Sequence, residues 1–303
     1  SNSRVPVARL KPREERRMQR GHLWAYRNEF SEIPSLDGGA LVQIVSDSGR
    51  PVGSGYFQAE GGIAVRLLTG GRDIFAEDSL ARRVAAAGAV RNALFPGTPV
   101  YRWIHGEGDG LPGLIADRYG PLVVIHADAA FYRERAQTLA AAFQEADGVA
   151  GVLLRAGTEW QEFGDGTHPI ACGIHGIRFT VDPSEGQKTG LVLDQRGNWT
   201  LVEPFGREAG VLDATCYAGA WSLHAATYGA REVLGVDTSG PAIEQAISNA
   251  SANDVADRCA FLRADIRDVL RSAEPYDVIV LDPPALAKNR NHLQKSLGMY
   301  QAL

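Results

Sequence analysis

The sequence predicts an α/β protein. A doubly wound, Rossmann-like parallel sheet forms its C-terminal part, preceded by a β-rich module and a small α+β region. Three observations carry this reading. From about residue 208, short Val/Ile/Leu runs alternate with amphipathic segments, the pattern of parallel strands covered by helices on both faces. The four apolar runs end on aspartates, namely Asp213, Asp237, Asp265 and Asp282. The stretch before residue 71 instead alternates short β-like runs with Gly-rich turns, which reads as a compact sheet.

The elements follow in chain order. Residues 13–21, "REERRMQRG", read as a short helix closed by Gly21, since glycine takes the left-handed conformation that ends a helix. Residues 38–57 read as strand, turn, strand, and residues 61–69 as a third strand. These make a first domain over 4–71. Residues 73–97 are rich in Ala, Leu and Arg and predict one helix. Residues 101–127 read as strand, hairpin and strand, with Asp109-Gly110 and Tyr119-Gly120 as turns. A helix over 132–147 and strands at 151–157 and 177–182 complete a central α+β domain over 72–182. The third domain, 183–303, holds the β-α repeats "AGVLDAT", "REVLGVD", "CAFLRAD" and "YDVIVLD", with the helices between them. The sequence stops at Leu303 inside a predicted element, so the sheet is expected to be incomplete at that end.

A length of 303 residues suits two or three domains. With 45% hydrophobic residues there is enough apolar material for real cores. No apolar run approaches the roughly eighteen residues of a membrane span. Cys172, Cys216 and Cys259 are odd in number and far apart; this argues against a disulfide framework and for a cytoplasmic protein. No metal ligand set is expected.

The net charge of −5 would by itself discourage a polyanionic partner. Its distribution does not. Arg4, Arg9, Lys11, Arg13, Arg16, Arg17, Arg20 and Arg27 crowd the N-terminal segment against Glu14 and Glu15. Such asymmetry marks a module that faces a polyanion such as RNA; a solvated charged helix is the plain alternative. Arg13, Arg16, Arg17, Arg20 and Arg27 are the candidate RNA contacts.

In a doubly wound sheet, ligands sit beyond the carboxyl ends of the strands. One aspartate there is an ordinary helix cap, but four along one edge suggest a ligand. Gly219 lets backbone approach that ligand. Asp237 stands where ribose hydroxyls are bound, and Asp265 is placed for an adenine amino group. The dinucleotide pattern G-x-G-x-x-G is absent from "DATCYAGAW". Asp213 disfavours a pyrophosphate, so a cationic adenosine derivative, S-adenosylmethionine, fits best. Pro283 and Pro284 carry no N–H. "DPP" therefore offers carbonyls and the Asp282 carboxylate, all acceptors, suited to a nucleobase amino group or ring N–H. A rigid helix start is the alternative for that turn.

Residues 211–250 with "DVIVLDPPALAKN" resemble the class I S-adenosylmethionine-dependent methyltransferases. "GQKTGLVLDQRGNW", "HGEGDGLPGLIADRYG" and "RLKPREERRMQRGHLWAYRNEF" narrow the resemblance to the bacterial large-subunit ribosomal RNA methyltransferase I family, from Arg9 to Leu303. The resemblance implies an N-terminal PUA RNA-binding domain, a central α+β domain and a Rossmann-like methyltransferase domain. It implies methylation of 23S rRNA, often at cytosine C5, with a homodimer left open. It matches Asp213 and Gly219 to the first motif, Asp237 to the ribose acid, Asp265 to the adenine contact and Asp282-Pro283-Pro284 to the catalytic loop. Gln187, Lys188, Thr189, Gly190, Asp194 and Arg196 match the segment bordering the cofactor pocket, or act as bracing for it.

Two departures from the family pattern stand out. Ala220 follows Gly219 where the family often has a second glycine. Methylation at C5 also needs a thiolate that adds to C6. In similar enzymes that cysteine lies beyond the fourth strand, on a loop this sequence does not contain. Cys216 is expected to pack within the first-motif loop, and Cys172 and Cys259 within cores. Two rivals remain at this stage: N-methylation of a guanine or adenine, and a non-catalytic RNA-binding protein that keeps the fold.

Overall fold

The computed structural model describes residues 5–184, 189–272, 275–283 and 297–298. The chain divides into two compact units, Ser1–Thr167 and His168–Leu303.

The first unit begins with β1 (Val7–Leu10), α1 (Glu15–Gln19), β2 (Trp24–Tyr26), β3 (Phe30–Glu32), β4 (Leu41–Val45), β5 (Pro51–Phe57) and β6 (Ile63–Gly70). The strands form one sheet in the order β2-β6-β5-β4-β1-β3. It is antiparallel except where β1 runs parallel to β4. The sequence predicts β4, β5 and β6. It misses β1, β2 and β3, which are too short to show a two-residue period. Leu10, Ala25, Val42, Ile44 and Val65 fill the core of this sheet. At Gly55 an added Cβ would sit 2.0 Å from the Arg66 carbonyl oxygen, so β5 can approach β6 this closely only without a side chain.

The unit continues with α2 (Ser79–Leu94), β7 (Val100–His105), β8 (Ile115–Tyr119), β9 (Leu122–His126), α3 (Ala130–Arg133), α4 (Ala136–Gln144), β10 (Gly151–Ala156) and β11 (Glu159–Gly164). The second sheet has the order β11-β10-β9-β8-β7, with β9 and β10 parallel and α2 and α4 packed against it. Tyr56 and Leu68 of the first sheet join Trp103, Phe131, Tyr132 and Phe143 in one core. Tyr56 stacks on Phe131 at 5.0 Å. The hydroxyls of Tyr56 and Tyr132 both donate to the Pro112 carbonyl, at 2.7 and 3.0 Å. This shared core is why the two sheets cohere as one unit. Beneath it, Arg102 grips Asp117 with two hydrogen bonds of 2.8 and 3.0 Å. Losing either partner of such a buried pair costs about 3–5 kcal/mol.

The second unit opens with a hairpin, β12 (Ile170–Ile174) and β13 (Ile177–Val181). There follow α5 (Glu203–Gly206), β14 (Gly210–Asp213), α6 (Ala220–Thr227), β15 (Glu232–Asp237), α7 (Gly240–Ala252), β16 (Cys259–Arg263), α8 (Ile266–Ser272) and β17 (Val278–Val280). The hairpin corrects the expected boundary at residue 182. The Arg178 and Thr180 N–H groups donate to Asn253 and Asn249 at 2.8 and 3.0 Å, which fastens β13 to α7 and the residue after it. A lone strand pattern does not reveal which sheet or helix it serves.

The parallel sheet has the order β16-β15-β14-β17. The chain moves outward from β14 through β15 to β16, then returns to the other side of β14 as β17. The crevice at this reversal is where open α/β sheets bind ligands. In β17 Ile279 is 53% exposed, and Leu281 just after the strand 46%. Among the described residues β17 pairs with β14 alone. No helix among the described residues is long and apolar enough to cross a membrane.

Candidate cofactor site

A cavity of about 410 Å³ opens at the carboxyl ends of β14, β15, β16 and β17. Four predicted acids or their neighbours meet in its wall: Asp194, Asp237, Asp265 and Asp282 with Pro283. Among the described residues lining it there is no Lys, Arg or His. A pyrophosphate would find no cation here, whereas a sulfonium and an ammonium group suit four carboxylates.

The β14–α6 loop is pinned from both sides. Its Ala214 N–H donates to the Val280 carbonyl and its Cys216 N–H to the Val236 carbonyl, both at 2.9 Å. Gly219 closes the loop at φ +82°, and a Cβ there would press on Ala246 at 3.1 Å. The neighbouring Ala220, where the family often has glycine, lies in the cavity wall and leaves the cavity open.

Asp237 ends β15 with its carboxylate already oriented. One oxygen accepts from the Tyr217 N–H at 3.0 Å and the other from the Ser239 N–H at 2.9 Å. Ser239 in turn caps α7 by accepting from the Ala242 N–H. Asp265 accepts from the Arg267 N–H and Nε, each at 2.9 Å, and pairs with a second guanidinium nitrogen. These hydrogen bonds hold its carboxyl down to about 2.

Asp213 does not lie in the cavity wall, a correction to its expected place there. It is 1% exposed and accepts from the Ser222 N–H at 3.1 Å and the Ser222 hydroxyl at 2.7 Å. It thus holds the first turn of α6 from behind the wall. Burial is the main cause that pushes its carboxyl up to about 7, and Asp237 and Asp282 add to this. The folded state therefore keeps a proton that the unfolded chain loses near pH 4. The stability this gives is complete below about pH 4 and is lost as pH rises through about 7. Asp213→Asn, which keeps an acceptor for Ser222, is expected to lose less thermal stability than the parent chain between pH 5 and pH 8. Melting both proteins across that range checks this.

Thr189 is fully buried and Gly190 lies behind the wall, so this pair also misses the cavity. Gly190 acts on it through Tyr217, which the sequence does not single out. Tyr217 has φ +48°, a conformation disfavoured for a side chain of this size. Its N–H holds Asp237, its hydroxyl donates to the Gly190 carbonyl at 2.8 Å, and it lines the cavity. The positive φ is the signal, and it is invisible in sequence. Tyr217→Phe is expected to weaken S-adenosylhomocysteine binding roughly five- to ten-fold, about one hydrogen bond's worth. Titration calorimetry measures this. Lys188, Gln187 and Pro284 lie outside the described residues.

The three thiols are held protonated. Burial raises Cys216 well above the ordinary range, and raises Cys172 to about 12 and Cys259 to about 11. Cys216 is buried, as expected, and its sulfur takes space that a Cβ at Gly235 would enter, at 3.1 Å. Cys172 and Cys259 are half-buried rather than in a core, because β12 and β16 each leave one face partly open.

Comparison with known proteins fits this geometry. A PUA-like domain family matches residues 8–70, and a methyltransferase domain family matches residues 211–296. A protein of Shewanella amazonensis named ribosomal RNA large subunit methyltransferase I is 33% identical over 97% of this chain and 79% of its own length. The chain belongs to the ribosomal RNA large subunit methyltransferase I family. A namesake from Shewanella denitrificans is 32% identical over the same shares. Among solved structures, a proposed SAM-dependent methyltransferase of Streptococcus mutans has a TM-score of 0.83 at 20% identity. It covers 96% of this chain and 82% of its own. A second methyltransferase, crystallised with SAH, also has a TM-score of 0.83, at 21% identity over 94% of this chain and 78% of its own. Both share the fold. The acid-lined cavity of this family member fits S-adenosylmethionine, which carries adenine, ribose and two cationic groups but no phosphate.

Proposed function

We propose that this chain methylates a base of large-subunit ribosomal RNA, with S-adenosylmethionine as methyl donor and cytosine C5 as the target atom. The observation that carries the reading is the meeting of Asp237 and Asp265 with the Asp282–Pro283 turn in one cavity. Bound there, S-adenosylmethionine supplies an electrophilic methyl group. Asp237, its carboxylate fixed by two backbone N–H groups, accepts from the ribose hydroxyls. Asp265 accepts from the adenine amino group, and Asp194 faces the cationic end. Buried Thr215 Oγ1 and Trp221 Nε1, both in residues of the wall, lack a protein partner among the described residues. A ligand carboxylate gives both a partner.

Asp282 and the Pro283 carbonyl accept from the exocyclic amino group of a base taken out of its stack. Pro284 and Lys188 belong to this proposal by resemblance. Exposed Arg13, Arg16 and Arg20 meet RNA phosphates, in a salt-dependent way. Arg17 and Arg27 play a lesser part in this. Arg17 is tied to Glu29 at 2.8 Å, and Arg27 is bound to the Gln58 and Ala59 carbonyls at 2.7 and 3.1 Å.

One observation favours a second reading. The Asp282–Pro283 turn in the cavity wall presents a carboxylate and a carbonyl and no Pro283 N–H, acceptors that suit the amino group of a guanine or adenine as well as that of cytosine. Methylation of a purine nitrogen needs no thiolate nucleophile. Transfer of labelled methyl to unmodified 23S rRNA, followed by mass spectrometry of the nucleosides, tests the proposal. The expected product is 5-methylcytidine. An N-methylated purine selects the second reading, and absence of incorporation sinks both.

A further inference from the structure

Strand β2 forms one edge of the first sheet, and its rings have no part in the core. His22, Trp24 and Tyr26 gather there, all half-buried. The His22 ring lies 5.8 Å from Trp24 at 45° and 6.4 Å from Tyr26 at 60°. Each larger ring carries a guanidinium: Arg66 sits 5.4 Å from the Trp24 centroid and Arg17 sits 5.1 Å from that of Tyr26.

These groups are held in place by carboxylates. Glu29 pairs with Arg17 at 2.8 Å. Glu107 pairs with Arg66 at 2.6 Å and also accepts from the Trp24 indole N–H at 2.6 Å. Such anchoring leaves little rotamer freedom to lose when a ligand lands on the rings. The strand's own backbone is occupied at this edge. The Trp24 carbonyl accepts from Arg17 at 3.5 Å, and the Tyr26 N–H donates to Glu29 at 2.7 Å. A peptide strand adding here would have to break these contacts, so what β2 offers is ring surface.

Charge identifies the occupant. Helix α1 and its flanks place exposed Arg13, Arg16 and Arg20 just before the rings in the chain, with Gly21 turning the chain between them at φ +93°. Cations suit phosphates, and aromatic faces suit bases that are free to stack. A duplex hides its base faces and offers only its backbone and groove edges. We infer that His22, Trp24 and Tyr26 form a platform for unpaired RNA bases, with the arginines of the α1 segment on the phosphates of the same strand. This rests on the RNA reading above and adds that the first unit selects single-stranded RNA.

The test is fluorescence anisotropy of the whole chain with a labelled unpaired oligoribonucleotide and with the same strand in a duplex, over a range of salt. His22→Ala combined with Tyr26→Leu is expected to weaken unpaired RNA binding roughly ten-fold or more, with duplex affinity unchanged. Arg16→Ala combined with Arg20→Ala is expected to weaken both RNAs and to flatten the salt dependence by about one to two in log–log slope. His22→Ala alone touches no hydrogen bond of the described residues; it guards against loss of fold and should show several-fold of the same selective effect. Unpaired RNA binding that survives in the ring variants, or falls equally with the duplex, overturns the platform and leaves the RNA reading standing. If the unaltered chain binds neither RNA, the RNA reading itself fails.

Discussion

Asp237→Ala is expected to weaken S-adenosylhomocysteine binding roughly 100-fold or more. Each hydrogen bond from a ribose hydroxyl to this carboxylate is charge-assisted and worth about 1.5–3 kcal/mol, and two of them give two or more powers of ten. The residue has a second task. Its oxygens also hold the N–H groups of Tyr217 and Ser239, so alanine leaves two donors without their acceptor and loosens the β14–α6 loop. Asp237→Asn separates the two tasks. One amide oxygen retains a single loop contact, while the charge that strengthens the ribose contacts is gone. Calorimetry on both variants is the measurement. Unchanged affinity in the alanine variant would remove Asp237 from the cofactor site.

Asp282→Ala is expected to do the reverse. Methyl transfer to rRNA should fall roughly 10²- to 10³-fold, the usual cost of losing a group that positions or polarises the reacting base. Affinity for S-adenosylhomocysteine should stay within several-fold, because Asp237 and Asp265 remain. Asp282 follows the return strand β17, which lies across β14 from β15 and β16, and this is the geometric reason for the split. Single-turnover methylation with saturating cofactor, set beside calorimetry, distinguishes the roles. A parallel loss of binding and turnover would make Asp282 a cofactor residue.

How far the sequence foretold this site depends on the kind of signal each residue leaves. The four strand-ending aspartates are legible because apolar runs with a period of helix and strand fix where a parallel sheet ends. The convergence of Asp237, Asp265 and Asp282 on one cavity follows from the topology rule alone. Asp213 shows the limit. As a letter it resembles Asp237, but one peptide turn sends its carboxylate behind the wall onto Ser222. Direction of a side chain is set by packing, and packing joins residues distant in sequence. Tyr217 shows the same limit from the other side, since an ordinary tyrosine becomes a tie between Asp237 and Gly190 only through a left-handed backbone. Arg17 and Arg27 count as free cations in the sequence, and their partners Glu29, Gln58 and Ala59 withdraw them.

The sequence by itself determined that a β-rich module precedes the parallel sheet, and it determined the acid-rich edge that calls for a cationic adenosine ligand. These depend on composition and local periodicity, which neighbouring residues carry together. Only the tertiary structure decided which acids reach the cavity, that Arg17 and Arg27 are tied to partners within the first unit, and that the β12–β13 hairpin belongs with α7. Those outcomes rest on contacts across tens of residues, where a rotation of one side chain or one loop exchanges a ligand group for a brace.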